Sequence, residues 1–155
     1  MNRYYVIKDE IYQIINHECF GKYRKNGFEH LYNVANTSIF LAKVNKLDLE
    51  LAGIIGLLHD LATYKFSSSF DHANRSSVLA RDILNKTALF NELEILLITT
   101  AIKNHSNKDK VDDEYSELIK NADLLVEYLN EPEASFSKEK QLRLDNLFTT
   151  LNIPK

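Results

Sequence analysis

The chain has 155 residues, 45% of them hydrophobic, and a formal net charge of −3. That length suits one domain around one core, and the charge offers no basic field for a nucleic-acid duplex. The single cysteine, Cys19, excludes an internal disulfide and fits a reducing compartment. The opening stretch, MNRYYVIKDEIYQII, has neither the apolar core nor the cleavage site of a signal peptide. The longest apolar run, Leu51 to Leu58, falls far short of the roughly 20 residues that span a bilayer. The expectation is a cytoplasmic protein with no membrane partner.

Only four glycines and two prolines interrupt the chain, and no stretch alternates cleanly with period 2. Both features predict an all-α protein, a compact single domain of about seven helices over residues 1–155. The first helix is expected from about Tyr4 to Asn16, with Val6, Ile7, Ile11, Ile14 and Ile15 toward the core. Cys19–Gly27, basic and holding two glycines, reads as a loop, followed by a helix over about Phe28–Lys46. Asp48 is a candidate N-cap for a third helix, Leu49–Ala62. Ser67–Ser69 would cap a fourth, about Phe70–Asn85. Asn91 with Glu94 makes a capping box, flanked by Phe90 and Ile95 as a hydrophobic staple, and starts a fifth helix ending near His105. After the polar loop Ser106–Asp112, a sixth runs from about Glu114 to Leu129. Pro132 breaks the chain, and Ser135 would cap a last helix, Phe136–Thr150.

Four of the five histidines fall on apolar helical stripes. His30 aligns with Val34, Thr37 and Leu41, and His59 with Ala52, Ile55 and Ala62. His72 aligns with Ser76, Leu79 and Ile83, and His105 with Ile98, Ala101 and Ile102. Only His17 lacks such a setting. A buried imidazole can bond to a carbonyl and a water, but each unmade hydrogen bond costs roughly 1–3 kcal/mol. Four inward histidines on separate helices therefore point to a shared metal, which satisfies several nitrogens at once. Asp60 ends an apolar helix beside His59, where a carboxylate is costly to bury without a cation. Asp123 lies on the border of the stripe Leu118, Ala122, Leu125, Leu129, compatible with a solvated flank or an inward ligand.

The order His30, His59-Asp60, Asp123 on a helical chain resembles the HD-domain superfamily of metal-dependent phosphohydrolases. The matching surroundings are HLYNVANTSIFLA, GLLHDLA and KNADLL, and the resemblance covers about residues 28–129. It implies His30, His59, Asp60 and Asp123 as ligands of one metal. His72 in FDHANRSSVLA and His105 in IKNHSNK stand where two-metal members hold a second ion, with Asp60 bridging. The six-ligand set is similar to that of enzymes splitting dinucleoside tetraphosphates symmetrically, and to that of cyclic-dinucleotide phosphodiesterases. The latter carry a GYP signature and adjacent histidines, which this chain lacks. Where many members have a basic residue three after the aspartate, this chain has Thr63, with Lys65 two further on.

The resemblance implies one or two divalent ions (Fe, Mn, Co, Ni or Zn), with His59 and Asp60 at the centre of catalysis. A metal-activated water would attack the phosphorus of a nucleotide or related small phosphate ester. Arg75, one turn from His72, is the first candidate for a substrate phosphate contact, followed by Lys65 and Lys108 in loops after ligand-bearing helices. A homodimer is compatible with all of this. Two other readings share the same ligands: a di-iron HD-fold oxygenase, and a non-catalytic HD domain that binds metal or nucleotide.

Overall fold

Eight helical segments follow one another through residues 2–154, the part of the chain that the computed structural model describes. They are α1 (Asn2–Glu18), α2 (Gly21–Asn45), α3 (Leu49–Leu58), α4 (Leu61–Lys65), α5 (His72–Thr87), α6 (Glu92–Asn104), α7 (Glu114–Asn130) and α8 (Lys138–Thr150). No strand occurs among the described residues. The protein is all-α, as expected, and no helix is long and apolar enough to cross a membrane.

Side chains that satisfy the first backbone N–H groups set the starts of α3, α6, α7 and α8, whereas α5 begins at His72 without a side-chain cap from Ser67–Ser69 or Asp71. Asp48 accepts from Leu51 N, and Asp113 from Tyr115 N and Ser116 N. The capping box is present in both directions, Asn91 to the Glu94 backbone and Glu94 to the Asn91 backbone. The last helix is capped by Ser137, which accepts from Lys140 N, rather than by Ser135.

Two departures from the sequence expectation matter for the site. The segment expected to be a loop, Cys19–Gly27, belongs to α2 from Gly21 onward. Gly21 takes the left-handed turn between helices (φ +53°), while Gly27 lets Tyr64 come close, since a Cβ there would stand 3.1 Å from that ring. The third helix does not run to Ala62. It ends at Leu58, and the chain bends at His59-Asp60 before α4. Asp60 leaves helical geometry (φ −120°, ψ 14°), and its carboxylate makes no capping bond to α4. That side chain is therefore free to point elsewhere.

The central pair is α2 against α3. Helix α3, LELAGIIGLL, is buried from Leu51 through Leu58, as a helix apolar all round must be. Its approach to α2 depends on Gly56, where a Cβ would stand 2.5 Å from the Ala35 Cα. Helix α1 packs on α3, α7 on α2, and α5 on α6. On α1 the buried face is Tyr4, Ile7, Ile11, Ile14 and Ile15, whereas Val6 is 45% exposed. Leu129, expected in the core, is 62% exposed because it lies in the last turn of α7.

The connection from α6 to α7 is polar, as expected, but it is firmly held. Lys120 of α7 is fully buried, and its ammonium donates to Lys110 O (2.8 Å), Asp112 Oδ2 (2.7 Å) and Glu117 Oε1 (2.9 Å). Arg143 of α8 donates to Lys108 O through Nε (3.1 Å) and Nη2 (3.0 Å), and to Glu117 Oε2 (2.6 Å). Two cations from two helices thus grip the backbone carbonyls of this strap.

Candidate metal centre

The bend at His59-Asp60 and the surrounding helices bring six side chains together. His30 comes from α2, His59 from the end of α3, Asp60 from the bend, His72 from the start of α5, His105 from the end of α6 and Asp123 from α7. His17, as expected, stays outside: it is exposed, with Nδ1 bonded to Gln13 O at 2.9 Å.

Each of three imidazoles is oriented by its own backbone. The Nδ1 atoms of His59, His72 and His105 lie 2.8, 3.0 and 2.7 Å from the carbonyls of Gly56, Ser69 and Ile102. A carbonyl only accepts, so Nδ1 carries the proton and Nε2 keeps a lone pair directed at the centre. Burial pushes the pKa of His59 down, which favours the neutral form that a metal requires.

Asp60 divides these histidines into two pairs. Its Oδ2 lies 3.6 Å from His30 Nε2 and 3.8 Å from His59 Nε2. Its Oδ1 lies 3.5 Å from His72 Nε2 and 3.3 Å from His105 Nε2. Asp123 Oδ1 joins the first pair, at 3.3 Å from His30 and 3.6 Å from His59. The nitrogens of His30 and His59 are themselves 3.1 Å apart. Ligand atoms bound about 2.0–2.2 Å from one ion are separated by roughly 3–3.5 Å, so these spacings fit shared cations.

Asp60 Oδ1 supplies the sharper test. It is a buried oxygen with no hydrogen-bond partner, and the two nearest nitrogens present lone pairs to it. Leaving a carboxylate oxygen in that state is costly unless a cation lies among the three acceptors. The residues present therefore fit one or two divalent ions.

The sequence-predicted cations separate clearly. Lys108 reaches the centre: its Nζ donates to Asp123 Oδ2 at 2.6 Å, with 12% of the side chain exposed. Although burial opposes ionisation of Asp123, the Lys108 ammonium beside it holds its carboxyl well below the usual carboxylate range. A cavity of about 470 Å³ opens onto Asp60, His72, His105, Lys108 and Asp123. Lys65 and Arg75 do not line it. Lys65 pairs with Glu18 at 2.8 Å, and Arg75 lies 4.5 Å over the Phe66 ring and donates to Phe70 O at 3.0 Å. Each is occupied by a partner on the outer face.

Two features were not anticipated. Tyr64, four residues after Asp60, places its ring 6.1 Å from that of His30. Burial and the two carboxylates push its hydroxyl pKa up, so it stays protonated. A tyrosine one helical turn beyond the pair was the available signal. Ser137, the N-cap of α8, and Glu139 and Lys140 in its first turn also line the cavity, and no periodicity could place that helix over the site.

Comparison with known proteins agrees with this architecture. The HD-domain family model matches residues 27–127. The chain belongs to the HD-domain family. The HD domain also superposes on the crystal structure of a predicted HD superfamily hydrolase from an uncultured Thermotogales bacterium, with a TM-score of 0.64. That match covers 93% of this chain and 86% of the other at 19% identity, a likeness of fold. No curated protein matches the sequence. HD domains bind divalent metals, and the histidine and aspartate groups of this one are spaced to hold them. Membership and centre together support a metal-dependent hydrolase in the general sense.

Proposed function

We propose that this HD domain is a phosphohydrolase acting on a nucleotide or a related small phosphate ester. The observation that carries the reading is Asp60, whose two carboxylate oxygens face two separate pairs of imidazoles. His30, His59, Asp60 and Asp123 would hold one ion, and His72 and His105 a second, with Asp60 shared. Divalent cations there would polarise a phosphoryl oxygen and make a water nucleophilic at neutral pH.

The protein's own groups prepare the rest. The backbone carbonyls of Gly56, Ser69 and Ile102 fix the imidazole tautomers, so no reorientation is needed when substrate arrives. Lys108 brings a positive charge to the cavity wall, where it can contact a substrate phosphate while its stem stays packed. Asp123 presents Oδ1 inward and keeps Oδ2 on Lys108, which links the ligand set to that cation.

The test combines elemental analysis with phosphate release. The purified protein should carry up to two divalent ions per chain and release phosphate from members of a nucleotide panel. Asp60→Ala should lose both properties with helical content intact. Full metal occupancy in that variant would sink the ligand assignment. Loaded protein that consumes dioxygen and releases no phosphate would replace the hydrolase with the oxygenase reading.

A further inference from the structure

A second cavity, of about 390 Å³, is lined by residues of α2, α7, α8 and the strap. Its volume is within the roughly 300–1,000 Å³ typical of small-molecule sites. The two cavities share Lys108, Asp109 and Glu139 in their walls, so they meet along the strap and the start of α8.

The chemistry of this second cavity differs from that of the first. Arg143 in its wall has every donor engaged: Nε and Nη2 on Lys108 O, Nη2 also on Lys110 O, and Nη1 on Glu117 and Asn121. Glu117 is equally committed, with Oε1 to Lys120 and Asp112 N and Oε2 to Arg143. The Lys108 ammonium is turned away onto Asp123. The charges left at the rim, Asp109 and Glu139, are acidic and disfavour an anion. What remains available is the apolar surface of Val44, Val111 and Leu142, which are 41%, 81% and 62% exposed, and unused amide groups. Asn146 makes no side-chain hydrogen bond among the described residues, and Asn121 Nδ2 and Asn45 Oδ1 are unused.

The geometry points to a subsite for the base of a nucleotide whose phosphate lies at the metal centre. A nucleobase is planar and uncharged, has apolar faces, and carries donors and acceptors along one edge. The cavity offers the complement of each property, and its neighbour offers the cations a phosphate needs. This inference rests on the phosphohydrolase reading above and names the class of leaving or retained group that the substrate carries.

The experiment titrates the metal-loaded protein with the four ribonucleoside 5′-monophosphates and with ribose 5-phosphate, calorimetrically and on ice. At least one nucleotide should bind about tenfold or more tightly than ribose 5-phosphate, in line with the worth of base stacking. Asn146→Trp and Val44→Trp fill the cavity from opposite walls, and retained metal content shows that each variant folds. Both should abolish the nucleotide advantage and leave ribose 5-phosphate affinity unchanged. Equal affinity for all five compounds would overturn the base subsite and leave the phosphohydrolase reading standing. An advantage that survives both variants would place the base elsewhere. No binding of any phosphorylated compound would overturn both readings.

Discussion

Lys108 Nζ lies 2.6 Å from Asp123 Oδ2, so a loop cation neutralises one oxygen of a candidate metal ligand while the other faces His30 and His59. The pair joins the strap after α6 to the centre and gives Lys108 a definite place in the cavity wall.

Lys108→Met should retain metal, because Asp123 Oδ1 and the histidines are untouched, and should lower kcat by about 10²-fold, the scale of losing one preorganised donor. Phosphate-release kinetics and elemental analysis on the same preparation check this. Unchanged kcat would return Lys108 to a purely structural role.

Arg143→Lys should loosen the strap, since one ammonium cannot hold two backbone carbonyls in the fork geometry of a guanidinium. Amide hydrogen exchange over residues 106–112 should quicken, with metal content preserved. Protection equal to that of the parent would show that Lys120, gripping Lys110 O and Asp112, holds the strap unaided.

Gly56→Ala sets a Cβ against the Ala35 backbone and forces α3 away from α2. Overpacking of this kind costs about 1–3 kcal/mol, and Gly56 also supplies the carbonyl that orients His59. Denaturant unfolding should register the loss, and metal affinity should fall with it. A variant of parental stability would mean that the helices separate freely, contrary to the packing.

Glu50 sets a pH dependence away from the centre. Burial pushes its carboxyl up, but hydrogen bonds at the start of α1, those from Arg3 among them, bring it down to about 2. Its pKa is lower folded than unfolded, near 4.3. The stabilisation is therefore complete above that unfolded value and is lost as pH falls toward 2. Melting temperatures between pH 7 and pH 2 should show Glu50→Gln less stable than the parent at neutral pH, the gap closing as acid is added. A constant gap would show that the charge on Glu50 contributes nothing.

Helix content, the capping box at Asn91 and Glu94, and the four inward histidines were legible in the sequence. Each depends on neighbours within one or two turns, and 3.6-residue periodicity and capping chemistry act over that range. Asp123 was ambiguous there, on the border of its stripe. The family resemblance made it a candidate ligand, and the packing of α7 on α2 turns that border toward His30. The bend that frees the Asp60 carboxylate was hidden, because Leu49–Ala62 reads as one apolar helix and the break depends on what surrounds it. The same limit applied to the cations. Lys65, Arg75 and Lys108 look alike as charges near ligand-bearing helices, yet Glu18 and Phe66 hold the first two outside while Arg143 and Lys120 hold the strap of the third over the centre. Those choices are made by contacts between residues distant in the chain, and only the tertiary structure brings such residues together.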